Sequence, residues 1–212
     1  MSTEVLGLRE SKKLETRQLI SDHATRLFIA QGFERTTIAE IAAAARVAKK
    51  TVTNYFPHKE DLALDHSEVF VQSLARAVAE RAEGEGVVAA LRREFVARTQ
   101  GHDAVAGFAG PEFARMVAES PTLVARVREL YDLREAALVE ALEAGAGPAA
   151  GIAPRAAAAL IGAAHKLLFR RLQELTLAGE SNERIAELLA PETAHVFDLL
   201  DAALGGYPAP PD

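Results

Sequence analysis

Cysteine is absent from all 212 residues, so neither a disulfide nor a thiolate metal site can form. Aromatic residues are few, nine Phe and three Tyr, while half the chain is apolar and alanine abounds. That balance favours helices packed closely through small side chains. No run of eighteen apolar residues occurs, so no membrane span is expected. The opening MSTEVLGLRESKK lacks the apolar core of a secretory signal, and a cytoplasmic protein is the simplest reading. Strand-like alternation and internal repeats are missing as well. So are catalytic signatures. His23, His58, His66, His102, His165 and His195 are scattered, and no HExxH is present. His66 stands near Asp61, Asp65 and Glu68, but adjacent residues on a helix do not converge on one ion. There is no G-x-S-x-G elbow and no Gly-rich loop preceded by a strand. No enzyme, metal site or cofactor is expected.

The chain is long enough for one or two domains with a real core. Its net charge of −6 argues at first against a nucleic-acid partner. The distribution reverses that argument. Residues 1–60 hold ten Lys and Arg against seven Asp and Glu, a net of +3; the remainder hold fourteen against twenty-three, a net of −9. Local potential governs contact with phosphate, and the acidic remainder stays off a duplex by repulsion.

The basic portion contains the stretch TIAEIAAAARVAKKTVTNYFPHK, Thr37 to Lys59. Thr37 with Glu40 three residues on forms a capping box for a short helix. Ile38 and Ile41 share one side of it, and Ala42 to Ala45 are strong helix formers. After a turn at Arg46 and Val47, a second helix runs from Lys49 to Tyr55. Val52 and Phe56, four apart, pack inward. Lys49, Lys50, Thr51, Thr53, Asn54 and Tyr55 occupy the outer faces, where such groups bond to phosphates or base edges. The same residues also suit an ordinary solvated helix. Pro57 ends the helix, and Lys59 follows.

With the entry run LFIAQGFERTTIAEIA and the exit VAKKTVTNYFPHKEDL, residues 12–65 resemble the TetR family of bacterial transcriptional repressors. The resemblance implies an all-α fold. A three-helix helix-turn-helix head would be joined by a long helix to a larger helical body for ligand binding and dimerisation. It places Lys49, Lys50, Thr51, Thr53, Asn54, Tyr55 and Lys59 at positions that commonly touch DNA; Thr37 and Arg46 belong to the same unit. Two residues depart from the pattern. Arg46 stands where Gly is usual, at a turn position that often needs positive φ. Thr53 stands where a phosphate-binding Tyr is common, with Tyr55 two residues on as its substitute.

Along the chain, residues 1–10 read as a flexible arm, 11–62 as the DNA-binding domain, 63–204 as the ligand-binding and dimerisation domain, and 205–212 as a disordered tail. The first helix runs from Ser11 or Lys12 to Gln31, with Leu19 or Ile20, Ala24, Leu27 and Phe28 on its apolar face. Lys12, Lys13 and Arg17 near its N-terminus oppose the helix dipole, which a DNA phosphate would justify. A helix from Lys59 to Glu83, about 25 residues or roughly 37 Å, would connect head and body. Further helices are expected at 87–99, 111–119, 121–144, 154–178, 181–190 and 191–204. Pro154–Ala178, with its run AAAALIGAAHKLLF, and Pro191–Leu204, with Val196, Phe197, Leu199, Leu200, Ala203 and Leu204, would build a four-helix bundle between two chains. Such a homodimer suits a palindromic operator on double-stranded DNA.

The stretch PEFARMVAESPTLVARV resembles a sub-group of the family that includes mycofactocin-type regulators. A body of this kind implies a pocket for a small apolar or amphipathic effector. Its candidate lining is Phe95, Phe108, Phe113, Met116, Leu123, Tyr131, His165 and Phe169; the apolar members equally suit ordinary core. The alternatives are a helical dimer that holds a lipid or acyl ligand without regulating genes, and a DNA-binding activator of the same fold.

Overall fold

The structure is a computed structural model that describes residues 7–147, 150–205 and 207. Among the described residues it contains ten α-helices, a 3₁₀ turn at Ala104–Ala106 and no strand, as the all-α expectation requires. The chain divides into two compact units, Met1–Asp65 with Met116–Val124, and His66–Arg115 with Ala125–Asp212.

The first unit holds α1 (Leu8–Gln31), α2 (Ile38–Ala44), α3 (Lys49–Tyr55) and α4 (Glu60–Ala63). Ile20, Ala24 and Phe28, spaced by four, are fully buried on α1 and meet a core that includes Ile41, Val52, Phe56 and Leu62. Burying each such large side chain is worth about 1.5–3 kcal/mol. Ile20 takes the inward position, and Leu19 stays 44% exposed. α1 starts earlier than expected, so residues 8–10 are helix rather than arm; residues 1–6 lie outside the described ones. The reason is local: the Gly7 carbonyl accepts from the Glu10 and Ser11 amides at 2.8 and 3.1 Å. Lys12 and Lys13 consequently sit in the second turn, where the dipole penalty is already fading.

The long connecting helix is a correction. In its place are α4 and a separate α5 (Ser67–Ala79), broken at Leu64–His66. Leu64 leaves helical geometry with φ −112° and ψ 49°. Side chains of α1 hold the break open. Ser21 Oγ donates to the Asp65 carboxylate and to the Leu62 carbonyl, and Arg17 donates to the Asp65 carbonyl at 3.4 Å. The carboxylate of a residue that reads locally as helical is thus held by a group 44 positions earlier.

The remaining helices are α6 (Val87–Gln100), α7 (Pro111–Glu119), α8 (Pro121–Ala146), α9 (Ala153–Leu177) and α10 (Asn182–Leu204), with the 3₁₀ turn at Ala104–Ala106. In the second unit Leu74, Val78, Leu91, Phe95, Leu138, Leu142, Ile161, Leu168, Phe197 and Leu200 form one core. α10 packs on α9 and α6. Two expected helices are here a single one, because Pro191 lies inside α10. An interior proline costs about 3 kcal/mol. The offset comes from one continuous buried stripe, Ile185, Leu189, Thr193, Phe197 and Leu200, that passes on both sides of Pro191. Arg92 of α6 also ties into α10, donating to the Ala194 carbonyl at 2.9 Å. Of the expected tail, residues 206 and 208–212 lie outside the described residues. Tyr207 does not fit that expectation: its ring packs against the core and its amide bonds the Leu204 carbonyl at 2.8 Å.

Candidate nucleic-acid interface and body cavity

The capping box at α2 forms in full. Thr37 Oγ1 accepts from the Glu40 amide at 3.2 Å, and the Glu40 carboxylate accepts from the Thr37 amide at 2.7 Å. The Thr37 hydroxyl and amide hold the Glu40 carboxyl below its ordinary range. The turn that follows does not avoid the positive-φ requirement. Arg46 adopts φ 55°, and the Arg46 and Val47 amides close back on the Ala43 and Ala42 carbonyls at 3.1 and 3.0 Å.

A left-handed residue with a Cβ costs about 1–2 kcal/mol. Arg46→Gly will therefore raise the denaturant midpoint of the protein. Greater freedom of the unfolded chain returns about 0.4–1 kcal/mol of that gain. A lowered midpoint would mean that the Arg46 side chain itself stabilises the head.

On α3, Val52 is fully buried and Phe56 just beyond the helix is 1% exposed. Their burial fixes which face turns outward. Lys49, Lys50, Thr53 and Asn54 are exposed on that face, whereas Thr51 and Tyr55 are half-buried. The Thr53 hydroxyl donates to the Lys50 carbonyl at 3.1 Å. From Ile41 to Lys59 there are four cations, Arg46, Lys49, Lys50 and Lys59, and no carboxylate. α3 has no side-chain N-cap, and two lysines at its positive end oppose the dipole. An anionic surface facing them removes that conflict.

Not every residue of the expected interface points outward. Lys12 and Lys13 are exposed. Arg17 turns into the head, donates to the Tyr55 carbonyl at 3.0 Å, and lies 4.2 Å from the centre of the Phe56 ring. It ties α1 to the end of α3. Lys59 is half-buried, donates to the Glu34 carbonyl at 3.3 Å and sits 4.3 Å over the Phe33 ring. Glu34 in turn accepts from Ser120 Oγ at 2.6 Å, the group that caps α8 through the Leu123 amide. That hydroxyl first, then Thr122 and Lys59, hold the Glu34 carboxyl below its ordinary range against the opposing effect of burial.

The expected effector residues do not gather in one place. Phe95, His165 and Phe169 line a common cavity of about 30 Å³ in the second unit. Tyr131 stands beside them, its ring edge-on to Phe70 and Phe169 at 5.3 and 6.1 Å. Phe108 packs instead with Leu172, Leu175, Ile185 and Leu189. Phe113 is half-buried on α7 and does not line the cavity. Met116 and Leu123, both buried, belong to the unit that contains the head. Gly107, at φ 119°, brings the 3₁₀ turn against α9, and a Cβ there would lie 3.1 Å from Phe169.

The rest of the lining includes Ser73, Leu74, Leu91, Glu94, Arg98 and Arg134, none of them anticipated. Arg134 did leave a signal in the sequence. It falls on the four-residue rhythm Leu130, Arg134, Leu138, Leu142, where the other members are buried apolar residues. Arg134 Nε and His165 Nε2 in this lining, and Tyr131 Oη beside it, are buried without a hydrogen-bond partner. Burial raises the Tyr131 hydroxyl well above its ordinary pKa, and burial, seconded by the charge of Arg134, depresses His165.

A capped α2, a tight turn, and an α3 whose buried face leaves Lys49, Lys50, Thr53 and Asn54 outward define a helix-turn-helix protein. Residues 20–65 match the family described as bacterial regulatory proteins, tetR family. The HTH-type transcriptional regulator TcmR of Streptomyces glaucescens is 30% identical over 146 residues. That match takes in 66% of this chain and 65% of TcmR, a little under two thirds of the relative's length. The tetR-family match thus covers the helix-turn-helix of this chain, and the similarity to TcmR runs on into the body. Among solved structures, Salmonella enterica GusR superposes with a TM-score of 0.54 at 22% identity, covering 91% of this chain and 96% of its own. Thermus thermophilus FadR in complex with lauroyl-CoA gives 0.51 at 25% identity, covering 92% and 100%.

Proposed function

We propose that the protein is a homodimeric repressor that binds a palindromic operator through α3 and releases it when a small apolar or amphipathic effector enters the body. The observation that carries this reading is the outward face of α3, with Lys49, Lys50, Thr53 and Asn54 exposed in a carboxylate-free run. Lys12, Lys13 and Arg46 extend the same charge, and residues 11–62 act as the DNA-binding domain. Residues 63–204 serve dimerisation and effector binding. Support for the dimer comes from α9, which buries one face yet leaves Ala156, Leu160, Ala163 and Leu167 exposed at helical spacing. On α10, Leu199 is 60% exposed. Apolar rows of this kind suit a two-fold four-helix contact. No helix among the described residues is long and apolar enough to cross a membrane, and the working place of such a regulator is the cytoplasm.

FadR carries an acyl-CoA in its structure, which supports an amphipathic effector here. α8 is the element that both units share, capped by Ser120 at one end and carrying Tyr131 and Arg134 further on. An effector acts only through differential affinity for two positions of such an element. The test is fluorescence anisotropy with the duplex upstream of the protein's own gene, with the oligomeric state read by sedimentation. Salt-sensitive binding by a dimer is expected. A folded dimer that binds no duplex at low salt would return the chain to the reading of a ligand-holding protein without gene regulation.

A further inference from the structure

Arg134 is a cation in the wrong place for a purely structural role. Among the described residues no carboxylate bonds it, its Nε is buried without a partner, and its guanidinium stacks 4.4 Å over the Phe70 ring. The carboxylates nearby are committed elsewhere. Arg98 donates to Glu94 at 2.7 Å and to Asp103 at 3.2 Å. That triad carries one net negative charge, yet what acts on Arg134 is its cationic member. Burial first, and Arg98 last, lower the Arg134 pKa to about 10, so the group remains charged at neutral pH. An unpaired buried charge costs several kcal/mol, and replacement by apolar side chains often stabilises a protein.

Arg134 and His165 both line the cavity, and each directs an unpartnered nitrogen into buried space. Around them are Leu74, Leu91, Phe95 and Phe169. We infer that this cavity receives an organic anion, a carboxylate or ionised phenol on an apolar ring-sized body, with Arg134 as its counter-ion. The inference rests on the effector reading above and names the chemical class of that effector. Arg134 supplies the charge-assisted hydrogen bonds, which are roughly twice as strong as neutral ones. With its hydrogen on Nε2, the neutral His165 ring would serve a second oxygen. The apolar body lies against the two phenylalanines and the leucines.

At about 30 Å³ the cavity has room for two or so water molecules, so a ring-sized anion must displace a wall. Every lining residue stands on an α-helix except Val105 and Ala106, which belong to the 3₁₀ turn Ala104–Ala106. That turn is flanked by His102 at φ 49° and Gly107 at φ 119°. It is the wall that gives.

The experiment is calorimetry of the full chain with 2-naphthoate and, as neutral counterpart, 2-naphthalenemethanol. The wild type should bind the carboxylate at least about tenfold more tightly than the alcohol, as a buried charged pair requires. Arg134→Met, which keeps an unbranched chain over Phe70, should bring the two within about twofold and melt at a higher temperature than the wild type. Arg134→Lys should retain part of the preference. Equal affinity of the two compounds, a preference that survives in Arg134→Met, no binding of either at millimolar concentration, or a lowered melting temperature of Arg134→Met each overturns the assignment. Duplex binding by the same preparation separates the two readings. A protein that binds DNA but prefers the alcohol loses only the anion site. One that prefers the carboxylate but binds no duplex keeps the site and loses the regulator.

Discussion

Replacing Lys49 and Lys50 together by alanine will weaken duplex binding by roughly 10²–10³-fold at physiological salt and flatten its salt dependence. In a two-fold dimer the double variant removes four cations from the DNA-facing surface. Each phosphate neutralised contributes about 0.9 to the slope of log K against log salt, so the slope should fall by about 3.6. At 0.15 M salt each released counterion contributes about fivefold to binding, and four of them compound to the loss given. Phosphate contacts carry no sequence information, so operator and unrelated duplex should weaken alike. The fold should not suffer. Both lysines are exposed, alanine is a strong helix former, and two cations leave the positive end of α3. Anisotropy titrations at several salt concentrations read both quantities. An unchanged slope would remove α3 from the interface.

Phe197→Ala will destabilise the body by about 3–5 kcal/mol. The Phe197 side chain is fully buried, its ring centre 6.1 Å from that of Phe95 and 5.6 Å from that of His165. It stands on α10 among residues of α6 and α9, so no single side chain can relax into the hole. Total stability of a domain is only about 5–15 kcal/mol. The variant therefore sits near its unfolding threshold, and any dimer built on α9 and α10 should dissociate with it. Phe197→Leu fills most of the volume and should recover the larger part of the loss. Denaturant unfolding gives the figure; a loss below about 1 kcal/mol would show that the core collapses around the gap.

The helix-turn-helix unit was readable because its signals are local. Thr37 and Glu40 close their capping box across three residues, and Val52 and Phe56 set the inward face of α3 across four. Pro111 at the start of α7 and the Ser120–Pro121 pair before α8 mark helix starts in the same way. The body was readable as helices but not as a site. Phe95, His165 and Phe169 share a cavity, while Phe108, Phe113, Met116 and Leu123 go elsewhere. An apolar residue on a helix announces that it will be buried, and says nothing about which neighbours bury it.

By itself the sequence determined an all-helical chain, the bounds of α3, and a run of cations without a carboxylate from Ile41 to Lys59. Those features depend on propensity, capping and charge, which act within a turn or two of the backbone. Only the tertiary structure decided that α4 and α5 separate, that α10 continues through Pro191, that Arg17 turns inward, and that Arg134 is left without a counter-ion. Each depends on groups brought from far along the chain. Ser21 reaches Asp65, Arg17 reaches Tyr55, the α9 and α6 surfaces support α10, and Arg134 of α8 is buried over Phe70 of α5. A hydrogen bond or a buried charge of that kind is worth enough to override local preference, and its partner is fixed only when the helices pack.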